Sequence, residues 1–383
     1  MLKRENGVNT ICTHTGSVVD VTYGGAISPI YSSTSYSFVD NITNRYPRYF
    51  NTPNQEFLSK KIAALEKAES AIIFSSGMAA ISNVMLMALK SGDHAVVQND
   101  IYGGTRNFIE SHFNSFGIEF TFTKDLTKKS FNDCIRKNTK LIYIETPSNP
   151  LLKLVDIFSI GQLGKSKNIL TIIDNTFATP IVQKPLTLGI DIVIHSATKY
   201  FGGHSDITAG AVASSKKIIN QLWVLSKDFG ASLSDFSVWM LERSMKTLAI
   251  RVKAQQKNAK KLAVFLDSHK AIKKVYYPGL ENHEDHALAK TQMKGFGAMM
   301  SFELVDEYEP LKFLSGLELI KHSGSLAGVE STMILPSKSS HSLMTEKERL
   351  EQGISNQLIR FSVGIESKKD LIYDIEQSLN NYN

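Results

Sequence analysis

The segment Ile190-Asp-Ile-Val-Ile-His-Ser-Ala-Thr-Lys-Tyr200 joins a short apolar run to a loop with two hydroxyl side chains and a lysine. A short apolar run of this kind predicts a buried strand. Four similar runs precede it and alternate with stretches in which apolar residues recur at helical spacing; they are residues 71–74, 94–97, 140–144 and 169–173. This alternation predicts an α/β fold with a mostly parallel sheet and helices on both faces.

Differences in composition and in apolar periodicity divide the chain into three parts. Residues 1–54 are rich in Thr, Ser, Tyr and Asn and show little periodicity, which predicts an irregular N-terminal arm. A helix predicted over 55–68 opens a large domain at residues 55–233. A long helical stretch over about 237–268 and strands near 297–304 and 358–363 then predict a smaller α+β domain at residues 234–383.

Composition and charge exclude several classes of function. The formal net charge is +6, but the lysine pairs are dispersed along the chain, so no nucleic-acid partner is expected. No stretch approaches the ~18 apolar residues of a membrane span, and no membrane association is expected. Two cysteines and no secretory signal predict a cytoplasmic protein. His283-Glu-Asp-His286 lacks the spacing of a zinc helix, so no metal is expected.

Polar residues that follow the predicted strands carry the candidate chemistry, because ligands of a parallel sheet bind at the carboxyl ends of its strands. The small residues of Ser75-Ser-Gly-Met-Ala-Ala80 would let backbone amides approach a phosphate at the start of a helix. The alternative is that this segment is only a turn between a strand and a helix. Asp174 could pair with a protonated ring nitrogen, or cap a helix. Lys199 could form an imine with an aldehyde while Ser196 and Thr198 bind a phosphate, or it is a surface lysine. Because Asp174 precedes Lys199 by twenty-five residues, the sequence favours the ring-nitrogen partner for Asp174 and the imine for Lys199.

With these residues the chain resembles the cystathionine lyase and synthase family of pyridoxal-phosphate (PLP) enzymes, also called the Cys/Met metabolism family. The resemblance extends over nearly the whole chain. Its motifs are Tyr46-Pro-Arg48, Asn51-Thr-Pro53, Ser75-Ser-Gly-Met78, Tyr102-Gly-Gly-Thr105, Glu145-Thr-Pro-Ser-Asn-Pro150, Asp174-Asn-Thr-Phe177, His195-Ser-Ala-Thr-Lys-Tyr200 and Leu358-Ile-Arg-Phe-Ser-Val-Gly-Ile-Glu366. It implies the PLP fold of type I, an amino-acid substrate, and a homotetramer built from dimers with shared active sites.

The resemblance also implies a role for each matching residue in cofactor binding. Lys199 would be the Schiff-base lysine and proton carrier, and Asp174 the partner of the pyridine nitrogen. Tyr102 would stack on the ring and is the second catalytic candidate. The implied phosphate ligands are Ser76, Gly77, Met78, Ser196 and Thr198 from the same chain, with Tyr46 and Arg48 reaching the phosphate of a neighbouring subunit.

The substrate is expected at Arg360, whose planar guanidinium suits a carboxylate, with Asn149 and Ser325 assisting. Relatives that act at the γ carbon carry an acidic residue just before the Ser-Leu pair, where this chain has Gly324. The resemblance therefore predicts a cystathionine β-lyase, which forms homocysteine, pyruvate and ammonia. The alternatives are a cystathionine γ-synthase or γ-lyase, with Glu330 or an arm residue supplying the charge, and a catalytically silent PLP-binding regulatory protein.

Overall fold

The computed structural model describes residues 6–39, 44–342 and 344–380; expectations for the remaining residues of the arm and of the C-terminal part lie outside the described residues. A seven-stranded sheet contains β1 (Ser70–Phe74), β2 (His94–Val97), β3 (Glu119–Phe122), β4 (Thr139–Glu145), β5 (Leu170–Asp174), β6 (Ile192–His195) and β7 (Gly210–Ser214). The strand order is β1-β7-β6-β5-β4-β2-β3.

Most strands of this sheet are parallel, as the sequence predicts. Strand β5 lies between β4 and β6, and the pairing register sets Asp174 beside Glu145 on one side and Ile194 on the other. Strand β7 runs antiparallel to both of its neighbours. The sequence did not predict β3, which is partly exposed, or β7, which consists of Gly, Ala, Val and Ser. Small residues of this kind have little strand propensity.

Helices cover both faces of the sheet. The first eight helices are α1 (Val8–His14), α2 (Pro53–Glu66), α3 (Gly77–Ala88), α4 (Gly103–His112), α5 (Lys128–Asp133), α6 (Ile157–Lys167), α7 (Thr179–Val182) and α8 (Lys216–Phe229). Apolar residues of α3 and α8 pack against one face of the sheet, and those of α5 and α6 pack against the other. Both faces of the central strands are therefore buried, which explains their continuous apolar runs.

A second sheet, fully antiparallel, has the order β10-β11-β9-β8. Its strands are β8 (Ile272–Tyr276), β9 (Met299–Leu304), β10 (Thr332–Ile334) and β11 (Leu358–Ser362), and the later helices are α9 (Asp235–Met245), α10 (Leu248–Asp267), α11 (His286–Gln292), α12 (Pro310–Ser315), α13 (Glu346–Glu351) and α14 (Lys368–Asn380). The single helix expected over 237–268 is two helices that are interrupted at residues 246–247. The proposed domain boundary near residue 234 stays a prediction.

The arm is more ordered than its composition predicts. Helix α1 packs against α2 and α10, and Cys12 on its inner face is fully buried. The expectation of an irregular arm is therefore wrong for residues 8–14, because a helix of seven residues is too short to show a clear apolar period. None of the described helices combines the length and the apolar character that crossing a membrane requires.

Candidate active site

A cavity of about 450 Å³ opens at the carboxyl edge of the large sheet. Its base comes from the turns that follow β1, β4, β5 and β6, and part of its rim comes from segments that flank β10 in the second sheet. All the sequence-predicted site residues line this cavity except Tyr46, Arg48 and Ser325. Residues distant in sequence thus meet at one edge, as parallel strands require.

Lys199 lies in the turn that follows β6 and is partly buried. Its backbone N–H donates to Ser196 O at 3.0 Å, and its carbonyl accepts from Gly203 N at 2.7 Å. Burial lowers the pKa of the Lys199 amine, and the nearby Arg360 charge lowers it further. A larger fraction of the amine is therefore neutral near pH 7, which is the form that attacks an aldehyde or accepts a proton.

The N-terminus of α3 faces the cavity next to Lys199. The Ser76 hydroxyl caps this helix by accepting from Ala79 N at 3.0 Å. The amides of Gly77 and Met78 are in the first turn, where a helix leaves its N–H groups without partners inside the helix. A Cβ on Gly77 would lie 2.8 Å from Cβ of Ser196, so only glycine allows this close approach. The site suits an oxyanion such as a phosphate.

Thr198 is less available to a phosphate than the sequence suggests. Its Oγ1 donates to Ala209 O at 3.1 Å and accepts from Ala209 N at 2.9 Å. The hydroxyl therefore ties the Lys199 turn to the start of β7. Thr176, for which the sequence predicts no role, also holds this turn, since its Oγ1 accepts from Ser196 N at 2.8 Å.

Two buried carboxyl groups lie side by side at the base of the cavity. Asp174 accepts a hydrogen bond from Thr176 N at 2.9 Å, and burial raises the pKa of its carboxyl group. The pKa of Glu145 is raised well above its usual value by burial and by the Asp174 charge. Glu145 Oε2 accepts from Tyr102 N at 2.8 Å, so it fixes the backbone of the residue whose side chain lines the cavity. Glu145 belongs to the motif Glu145-Thr-Pro-Ser-Asn-Pro150, but only the strand register shows that it lies beside Asp174.

Arg360 is a buried cation whose hydrogen-bond partners in the cavity wall are neutral. Its side chain is 3% exposed, and it donates to Asn149 Oδ1 at 3.2 Å and to Gly324 O at 3.3 Å. Burial lowers the pKa of its guanidinium to about 10. Because a buried charge is costly without a counter-charge, this arginine favours an anionic ligand in the cavity.

Three predicted site residues lie elsewhere. Arg48 donates to Lys227 O at 2.5 Å and lies over the ring of Tyr46, whose side chain is 38% exposed. The carbonyl of Ser325 accepts from Thr332 Oγ1 at 3.2 Å, while its neighbours Gly324 and Leu326 line the cavity. The roles of these three residues stay predictions. Ser339 and Ser340 do line the cavity, although no sequence motif marks them.

These groups fit pyridoxal phosphate. A protonated pyridine nitrogen would neutralise the buried Asp174, the first turn of α3 would accept the phosphate, and Lys199 lies in the same cavity with a lowered amine pKa. The mainly parallel seven-stranded sheet carries the residues that such a site needs at its carboxyl edge. Together the fold and the site define a PLP-dependent enzyme of fold type I.

The particular family follows from comparison with known proteins. A family model described as Cys/Met metabolism PLP-dependent enzyme matches residues 9–380, and the chain belongs to this family. The cystathionine gamma-lyase of Bacillus subtilis (strain 168) is 43% identical, over 97% of this chain and 99% of that protein. The cystathionine beta-lyase of Lactococcus lactis subsp. cremoris (strain MG1363) is 41% identical, over 97% and 98%.

Solved structures agree with this assignment. The crystal structure of cystathionine gamma synthase from Xanthomonas oryzae pv. oryzae in complex with aminoacrylate and cysteine has a TM-score of 0.95 at 38% identity, covering 99% of both chains. The family resemblance, the fold type and the cofactor expected from the sequence are thereby confirmed. The names of these relatives include a β-lyase, a γ-lyase and a γ-synthase, so family membership leaves the reaction of this chain open.

Proposed function

We propose that the chain is a C–S lyase that cleaves cystathionine mainly by β-elimination. In this reaction cystathionine and water give homocysteine, pyruvate and ammonia. The single observation that carries the choice of β over γ is Gly324, which lines the cavity and has no side chain that could supply a negative charge there. A side chain at this position would have free space, because an added Cβ would meet no atom within 4 Å.

The acidic groups near the cavity support this choice. Among the described residues, the acids that line the cavity are Glu145 and Asp174, and both are buried at its base. Glu330, which could have replaced a charge at position 324, does not line the cavity and pairs with Lys321 at 3.2 Å. The wall near Gly324 therefore offers no described carboxylate to hold a distal ammonium group in the position that γ-elimination requires.

The chain's own residues account for binding and proton transfer. PLP, when bound, withdraws electrons from the Cα of an amino acid joined to it and so acidifies the proton there. Arg360, held by Asn149, binds the α-carboxylate. The Lys199 amine takes the Cα proton and delivers a proton to the departing sulfur on Cβ. Asp174 would keep the ring nitrogen of bound PLP protonated, and Tyr102 would stack on the ring.

Product analysis tests the proposal. Purified enzyme is incubated with cystathionine, and homocysteine, cysteine, pyruvate and 2-oxobutyrate are quantified together. Homocysteine and pyruvate should form in equal amounts and exceed cysteine and 2-oxobutyrate. A majority of cysteine, or faster joining of cysteine to an activated homoserine than cleavage of cystathionine, would overturn the β-lyase assignment. Absence of any turnover in yellow, PLP-loaded protein would favour the silent regulatory protein instead.

We also propose that active sites are shared between subunits of a homotetramer. Tyr46 and Arg48 do not line the cavity of their own chain, and Tyr46 is accessible to a neighbour. Mixed dimers of Arg48→Ala and Lys199→Ala chains contain one site with neither change, so they should regain part of the activity that each parent lacks. Verified mixed dimers that remain inactive would contradict sharing.

A further inference from the structure

Arg251 on α10 is a buried arginine outside the cavity, with a side chain that is 5% exposed. Its Nη1 donates to Tyr200 O at 2.9 Å, and its Nη2 donates to Ser244 O at 3.0 Å. Longer bonds join Nη2 to Phe201 O at 3.4 Å and Nε to Thr247 Oγ1 at 3.1 Å. All four acceptors are neutral oxygens.

These acceptors belong to two segments that are distant in sequence. Tyr200 and Phe201 directly follow Lys199 in the turn after β6. Ser244 lies in the last turn of α9, and Thr247 lies in the interruption between α9 and α10. The planar guanidinium therefore joins the lysine-bearing turn of the large sheet to the helix pair that leads into the second sheet.

The turn is shaped to admit this guanidinium. Gly203 has a φ of +70°, and a Cβ there would overlap Nη1 of Arg251. The same Gly203 donates its N–H to Lys199 O at 2.7 Å and so closes the turn that carries the lysine. Only glycine at this position permits both the backbone conformation and the close approach of Arg251.

We propose that Arg251 is a positioning residue that holds the Lys199 turn in place at the end of the cavity. The inference rests on the proposed role of Lys199. Burying a guanidinium against neutral oxygens is costly, and here burial lowers its pKa to about 10. Hydrogen bonds from a charged donor are stronger than neutral ones, and a forked donor can hold two separate segments at once. The cation thus fixes the geometry of a turn that Lys199 needs for proton transfer.

Arg251→Lys and Gly203→Ala test the proposal from both sides of the contact. A lysine keeps the charge but cannot bond both segments, and an alanine displaces the guanidinium. The main readout is the rate at which hydroxylamine removes the visible absorbance of the PLP-loaded enzyme. Both variants should release PLP several times faster than the wild type, because a loosened turn exposes the bond between Lys199 and the cofactor. Their kcat should fall by about tenfold or more, as expected for a misplaced catalytic group.

Lys61→Met is the matched control. Lys61 is also fully buried and also donates to a backbone oxygen, Cys12 O at 2.6 Å, but this oxygen belongs to the arm. The control should lower Tm and leave the rate of release by hydroxylamine unchanged. If Arg251→Lys lowers Tm in the same way and its release rate also equals that of the wild type, Arg251 only stabilises the fold and the proposal is wrong.

Two further variants distinguish a failure of the Arg251 proposal from a failure of the Lys199 assignment. Thr247→Val removes one acceptor of Arg251, so it serves if Arg251→Lys does not fold; unchanged release in this variant would overturn the proposal. Lys199→Ala tests the underlying assignment. If Lys199→Ala retains the visible absorbance of a protein-bound imine, the role of Lys199 fails and the inference fails with it. If that absorbance is lost while Arg251→Lys behaves like the wild type, only the inference about Arg251 fails.

Discussion

The base and the rim of the cavity are built in different ways. At the base, Asp174 ends strand β5, and Lys199 lies in a turn tied back to β7 by Thr198. At the rim, Gly324, Leu326, Ser339 and Ser340 lie in segments without regular strand pairing, on either side of β10. The base is held by the hydrogen bonds of a buried sheet, whereas the rim depends on loops.

This difference separates the residues proposed for catalysis from the residues proposed to select the substrate. The residues proposed to bind PLP and move protons lie where the backbone is most constrained. The residues proposed to select the leaving group lie where a substitution can be accommodated, as the free space at Gly324 indicates. Substitutions at the base should therefore lower kcat, and substitutions at the rim should change which products are formed.

The largest effect is expected at Lys199. Lys199→Ala removes the amine that takes and delivers protons, so kcat should fall by about 10²–10⁴-fold. The visible absorbance of the protein-bound imine should also disappear, which a spectrum of the purified protein checks. A variant that stays yellow and active would place the reactive amine elsewhere.

Asp174 should show the next largest effect. Asp174→Asn removes the negative charge that opposes the ring nitrogen but retains the shape of the side chain. Loss of one oriented electrostatic contact in an active site costs on the order of 10²-fold in rate. Steady-state kinetics would show this as a lower kcat, and a rate close to that of the wild type would mean that Asp174 only accepts the hydrogen bond from Thr176.

Arg360 lies between base and rim and should affect binding. Arg360→Lys keeps the charge but loses the two parallel hydrogen bonds to a carboxylate, which should raise KM by the equivalent of roughly 1.5–3 kcal/mol. The cofactor spectrum should not change. Arg349→Lys is a suitable control, because Arg349 is bonded to Met344 O and does not line the cavity. A collapsed spectrum with an unchanged KM would contradict the role of Arg360.

The residues at the base of the cavity could be predicted because each lies in a short stretch of sequence with a recognisable pattern. A buried strand and the polar residues that follow it are neighbours in the chain, as at Asp174 and Lys199. The contact between Glu145 and Tyr102 was missed because it depends on the pairing of strands, and a single sequence does not show that pairing.

The rim was harder to predict for a related reason. Ser339 and Ser340 follow β10 of the second sheet but line a cavity whose base belongs to the first sheet, and no local pattern marks them. The role of Ser325 at the substrate stays a prediction, since its neighbours Gly324 and Leu326 line the cavity and Ser325 itself does not. Strand β7 was missed because its small side chains are selected by close packing, such as that of Gly210 against Ser76.

The most direct test of β-elimination and of the role of Gly324 is the product ratio from cystathionine in the wild type, Gly324→Glu and Gly324→Gln. The two substitutions have nearly the same shape, so their difference isolates the negative charge. The wild type and Gly324→Gln should release mainly homocysteine and pyruvate, and Gly324→Glu alone should shift several-fold towards cysteine and 2-oxobutyrate. A wild type that releases mostly cysteine, or a Gly324→Glu enzyme with the same product ratio as Gly324→Gln, would contradict this prediction.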